Sequence, residues 1–207
     1  MDVALELGTL GDRVAPLTLA HERTLPVAAG LAELFPDSGL VRGRTLACRG
    51  PVATSTALAL VAPAMAGGAW MAVIDIATLG LDAAHELGVP LERVVAVCTG
   101  DDPERWPDVV AAAADGFDIL LVRVPASVAT ALPAAASRKL AVRLRQRDVV
   151  TVVVGDPAPM ECDGVLQTAA PQWEGLGDGH GHLRCRTVGV EATGRRLPGR
   201  RRCRLEL

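Results

Sequence analysis

Five short aliphatic runs set what this chain can fold into. Thr45–Arg49, Trp70–Ile76, Val94–Thr99, Phe117–Val124 and Val149–Gly155 alternate with helix-length stretches at Thr54–Ala66, Leu79–Leu87, Pro103–Ala114 and Ser127–Arg147. Runs of this length that are apolar almost throughout read as strands covered on both faces. Crossover helices between them predict an α/β domain with a mainly parallel sheet. The chain has 207 residues, which suits one domain with one core. With no Tyr, two Phe and three Trp, that core is expected to be aliphatic.

Either side of these runs the pattern changes. Residues 1–24 form an N-terminal segment whose first twenty positions have weak periodicity. Leu25-Pro26 through Phe35 reads as a short helix with Leu31, Leu34 and Phe35 on one face, stopped by Pro36-Asp37-Ser38-Gly39. Past Asp156, prolines and the glycine-rich Gly175–Gly181 separate short alternating segments, Leu183–Val190 and Arg201–Leu207, which predict antiparallel hairpin strands extending the sheet. Charge shifts there too. Residues 184–207 hold eight Arg, at 184, 186, 195, 196, 200, 201, 202 and 204, against Glu191 and Glu206, while the whole chain carries −3. These arginines are the candidate surface for a protein partner or DNA, the plain alternative being a charged edge that discourages aggregation.

Cys48, Cys98, Cys162, Cys185 and Cys203 lack zinc-ribbon or CxxC spacing, which points to a reduced cytoplasmic protein. The acidic start Met1-Asp2-Val3-Ala4-Leu5-Glu6 does not resemble a secretion signal. No charge occurs from Gly50 to Ile74, but Pro63 and Gly67-Gly68 are expected to break this stretch into helix, turn and strand, so no membrane span is assigned.

Gly43 through Thr56 runs a strand into a loop and then a helix, the setting of a phosphate-binding loop. The chemistry of such a loop is missing. A glycine and a lysine precede the magnesium-binding hydroxyl in GxxxxGK[ST]; here Thr54 and Ser55 occupy those places and only the hydroxyl of Thr56 remains. Pro51 removes one N–H donor, and Lys139 is the only lysine in the chain.

Phe35-Pro36 through Gly39-Leu40-Val41-Arg42-Gly43-Arg44, followed by this loop, resembles the RecA superfamily and, within it, the ImuA-type proteins of the SOS mutasome. The resemblance spans roughly residues 30–207, including the tail Trp173–Gly181. It implies a core over 25–156 with a degenerate phosphate loop (Gly50, Thr54, Ser55, Thr56) and a β-rich extension of the same domain over 157–207. Phe117–Val122 is similar to the family's second nucleotide motif, but Arg123 stands where an Asp should reach magnesium. Ala77 likewise stands where a catalytic Glu belongs. Lysine, metal carboxylate and water-activating carboxylate would all be lost.

Other clusters have plainer readings. Ser55 and Thr56 are expected in a helix start capped by Thr54. Asp178, His180 and His182, with Cys185 nearby, read as an exposed glycine-rich turn rather than a metal site, and Asp101-Asp102-Pro103-Glu104 as a capped helix start. The basic end of Ser137–Arg147 suits either DNA contact or the helix dipole. No Ser–His–Asp, paired-carboxylate or reactive-cysteine pattern emerges, and His21 and His85 are read as structural.

The expectation is a protein that is not an enzyme and binds no cofactor or metal. As the resemblance implies, it would be an adaptor contacting an ImuB-like polymerase homologue and, directly or through it, a DnaE-type error-prone polymerase. DNA contact and self-association stay open. The alternatives are a cell-division inhibitor resembling SulA and a RecA-like ATPase with an unusual phosphate loop.

Overall fold

A computed structural model describes residues 24–100, 102–177 and 180–207. Most of the N-terminal segment, with His21, and also Asp101 and Asp178, lie outside the described residues. Strands are β1 (Thr24–Pro26), β2 (Gly39–Val41), β3 (Thr45–Arg49), β4 (Met71–Ile74), β5 (Val94–Val97), β6 (Ile119–Val122), β7 (Val150–Val154), β8 (Gly164–Thr168), β9 (Gln172–Gly177), β10 (His180–Gly194) and β11 (Leu197–Glu206). Helices are α1 (Ala29–Ala32), α2 (Ala53–Ala66), α3 (Leu81–Glu86), α4 (Arg105–Ala113), α5 (Ala126–Ala131) and α6 (Ala134–Gln146).

The main sheet runs β11-β10-β8-β3-β7-β6-β4-β5, and β9 pairs with the first part of β10. From β8 through β5 every pairing is parallel, while β10 runs antiparallel to β8, β9 and β11. This is the α/β fold expected from the sequence, and the parallel part reaches past Asp156 to include β8. Side chains of β4, β6 and β7 are buried throughout, which is why their sequences carry no polar alternation. One core layer lies under α1–α3 with β1, and the other under α4–α6. Trp106 of α4, fully buried in the second layer, is the largest side chain of the core.

Several local expectations are corrected. Leu25-Pro26 belongs to β1, paired with Gly39-Leu40, and only Ala29–Ala32 is α-helical, although Leu31, Leu34 and Phe35 are buried. Ser127–Arg147 is two helices, because Leu132 leaves the helical region just before Pro133. Pro63 lies inside α2 and the break comes at Gly67-Gly68. Among the described residues no helix is long and apolar enough to cross a membrane.

Burial has a consequence for the thiols. Cys48, at the centre of the sheet, is pushed up to about 12 by desolvation, and Cys162 to about 12 for the same main reason. Below pH 9 such a thiol is protonated in both states and contributes nothing to pH dependence. Above pH 9 only the unfolded chain can ionise it, so stability should fall as pH rises from 9 toward 12, with a limiting slope of about 1.4 kcal/mol per pH unit for Cys48. Urea unfolding at pH 8 and pH 10.5 checks this. An equally steep decline in Cys48→Ala would show that another group causes it.

Candidate functional site

The strands β3, β7, β6 and β4 are neighbours and end along one edge of the sheet, where α/β domains form their ligand crevices. At the end of β3 the chain turns at Gly50, whose φ is +101°. A Cβ there would lie 2.4 Å from the carbonyl oxygen of Thr168 and 2.5 Å from its Oγ1. Thr168 Oγ1 donates to the Arg49 carbonyl at 2.9 Å and accepts from Val52 N–H at 3.4 Å. The loop is therefore stitched to the end of β8, and Val52 N–H already has an acceptor.

Helix α2 starts at Ala53 with Val52 as its cap residue, so Thr54 is the second helical residue and not the cap. Only Gly50–Val52 separates strand from helix. Thr56 N–H bonds to the Val52 carbonyl at 3.0 Å within the first turn, and the Thr56 side chain is fully buried with its hydroxyl unpartnered. Ser55 is partly exposed.

At the end of β4 the carboxylate of Asp75 is engaged. It accepts from Thr99 N–H at 2.8 Å and from Thr99 Oγ1 at 2.7 Å, while Asp75 N–H bonds to the Val97 carbonyl, so Asp75 fastens the edge strand β5 to β4. Ala77 is exposed beyond it. Arg123, exposed at the end of β6, gives its N–H to the Ile74 carbonyl. Asp156, after β7, accepts from Ala158 N–H in its own turn. Asp75 and Asp156 therefore each accept from the protein's own backbone.

The structure distributes the arginines of the tail. Arg200, Arg202 and Arg204 are exposed at alternate positions of β11, which places them on one face of the strand. Arg200 and Arg202 both pair with Glu191, at 2.8 and 2.7 Å. Glu33, Glu191, Arg202 and Arg204 line an open trough of about 720 Å³ over β8, β10 and β11. Arg201 donates to the Glu33 carbonyl. Arg195, in the turn after β10, pairs with Glu161; Arg196 N–H bonds to the Asp163 carbonyl. Arg184 and Arg186 lie apart from these, on β10 where it pairs with β9.

That pairing makes a two-stranded ribbon, and the guanidinium of Arg186 lies 5.3 Å from the centre of the half-exposed Trp173 ring. Between the ribbon and the helices α2 and α3 runs a cleft of about 360 Å³, lined by Ser55, Leu87, Trp173, Leu183, Arg184 and Arg186 among others. Sequence reading missed this cleft, because Trp173 and Ser55 become neighbours only through the sheet. His180 and His182 are exposed but stand on β10, not in a turn, since β9 continues to Gly177. Among the described residues no group of three or more His, Cys, Asp or Glu is placed to hold a metal ion. Asp102 caps the start of α4 by accepting from Glu104 and Arg105 N–H. In the basic stretch of α6, Arg143 pairs with Asp115, as does Arg147 just beyond. His85 is exposed in the last turn of α3.

Residues 33–160 match the family described as the MT3502 N-terminal domain. No curated protein matches the chain in sequence. Among solved structures it is similar to the RadB recombinase, at 14% identity and a TM-score of 0.59, over 86% of this chain and 92% of that one. It is also similar to the KaiC-like protein PH0186 from Pyrococcus horikoshii OT3, at 16% identity and a TM-score of 0.55, over 89% and 92%. At these identities the likeness shows the fold, which is RecA-like.

Proposed function

Since the chain belongs to the MT3502 N-terminal domain family and has a RecA-like fold, we propose that it is a non-catalytic adaptor of the SOS-induced translesion mutasome. It acts by contact, binding an ImuB-like polymerase homologue and, directly or through it, a DnaE-type error-prone polymerase. The observation that supports the absence of catalysis is the burial of Thr56: the hydroxyl that would be meant for magnesium is enclosed in the core and reaches no solvent. No lysine stands at position 55, and no free carboxylate stands at 77 or 123 to hold metal or activate water. The choice of partners rests on the resemblance to ImuA-type proteins.

Titration with a fluorescent ATP analogue and magnesium should give no saturable binding in the micromolar range, and Ser55→Lys should not create turnover. Thr56→Val should stabilise the chain by about 1 kcal/mol, because it removes a buried hydroxyl that has no partner. Magnesium-dependent hydrolysis by the purified chain, abolished by Thr56→Val, would overturn the reading in favour of an ATPase. Co-purification with the ImuB-like partner tests the adaptor role. Binding to the tubulin-like division protein instead would support the SulA-like alternative.

A further inference from the structure

We infer that the cleft between the β9–β10 ribbon and the helices α2 and α3 is a docking groove for a protein segment bearing leucine or aromatic residues flanked by acids, and that the partner polymerase homologue supplies it. This rests on the adaptor reading for the identity of the partner but not for the chemistry of the groove. Two of the large apolar side chains that the fold leaves exposed, Trp173 at 49% and Leu183 at 54%, line this one cleft, with Leu87 and Leu207 part-buried beside them. Tryptophan and arginine dominate the energetics of protein interfaces, with apolar anchors at the centre and a polar rim. The cleft has that anatomy.

Charge fixes the kind of segment. Arg184 and Arg186 line the cleft with Glu86 as the one acidic side chain of its lining, so the lining side chains favour an acidic occupant. Arg186 holds the Trp173 ring from one side by a cation–π contact, which restricts the ring before any partner arrives and lowers the ordering cost of binding. Leu207 N–H bonds to the Arg186 carbonyl at 2.8 Å, fixing the base of the ribbon against the end of the chain. The arginines of β11 are less suited to the task. Glu191 neutralises two of them, and none of the exposed large apolar side chains lies in their trough.

The chain reports on its own groove. Trp106 is fully buried, so in a Trp70→Phe background a change in solvent-sensitive emission comes from Trp173. Titration of that protein with the purified ImuB-like partner should change the Trp173 emission, with an affinity that falls as salt rises. Trp173→Ala should weaken binding about 30-fold or more and Leu183→Ser about tenfold, both measured by calorimetry. Arg184→Glu should weaken it and flatten the salt dependence. Arg202→Glu, in the trough over β8, β10 and β11, should leave the affinity within about threefold, and circular dichroism should show all variants folded.

If the partner does not bind the parent chain at all, the adaptor reading fails. If it binds the parent and the Trp173→Ala and Leu183→Ser variants equally well, the adaptor reading stands and the groove is overturned. Displacement of the partner by a synthetic peptide of residues 1–23, by a second copy of this chain or by a DNA oligonucleotide competing for Trp173 would assign the cleft to that occupant and overturn the inference.

Discussion

Gly50→Ala is expected to destabilise the chain by about 3 kcal/mol or more, through two separate costs. A φ of +101° is strained for any L-residue with a side chain, at roughly 1–3 kcal/mol. The added Cβ also meets the Thr168 carbonyl oxygen at 2.4 Å and Thr168 Oγ1 at 2.5 Å, and forced overpacking costs typically about 1–3 kcal/mol. Relief by moving Thr168 is blocked, because its hydroxyl is bonded to the Arg49 carbonyl and to Val52 N–H. Urea denaturation measures the loss. Thr168→Ala in the Gly50→Ala background should recover only part of it, since the carbonyl oxygen and the backbone strain remain. A loss below about 1 kcal/mol would mean that the loop is not packed on β8, and with it the argument for a closed phosphate loop would weaken.

Trp106→Ala is expected to cost about 3–5 kcal/mol, as large aromatic deletions in cores do. The indole is fully buried among Val110, Leu120, Val122, Leu140 and Leu144, on the face where α4 and α6 cover the sheet. Trp106→Phe should cost much less. The indole N–H has no acceptor, so the smaller ring loses some packing but also removes a buried donor that made no bond. Chemical denaturation of the two variants side by side gives the comparison. Equal losses for Phe and Ala would show that the nitrogen, not the ring, is what the site needs.

How much could be read from the sequence depended on whether a feature was local. The strands β3, β4, β6 and β7 were legible because burial on both faces demands uninterrupted aliphatic residues. Strand β5 was legible from its valines although it lies half-exposed at the sheet edge, and the helices between the strands implied a mainly parallel sheet but not the order of its strands. Strand β8 escaped, since Gly164-Val165-Leu166-Gln167-Thr168 opens on glycine and carries a polar residue where its neighbours carry valine. The split at Leu132-Pro133 was visible as a proline but outweighed by helical residues on both sides. Absence of the lysine at Ser55 and of the acids at Ala77 and Arg123 was legible, being a matter of residue type. What closes the loop was not, because Thr168 lies 116 residues from Val52 in the chain. Asp75 gave no sign of its task either. Its partner Thr99 is 24 residues away, just past the end of the edge strand.

The place of β3 between β7 and β8 also dictates a timetable. The first strand of the parallel sheet is made early, yet its two neighbours are the last of the parallel strands to be made, with β4, β5 and β6 completed in between. At roughly 5–20 residues per second, on the order of ten seconds pass at the ribosome before residue 154 follows residue 49. Throughout that interval Leu46, Ala47 and Cys48 have no strand to pair with, and the early helix α2, apolar almost all round, has an incomplete sheet beneath it. A nascent chain with unpaired edges and a bare apolar helix is a client for chaperones. Such a topology defers closure of the parallel sheet until β7 and β8 have been made, and non-local strand pairing of this kind is intrinsically slow.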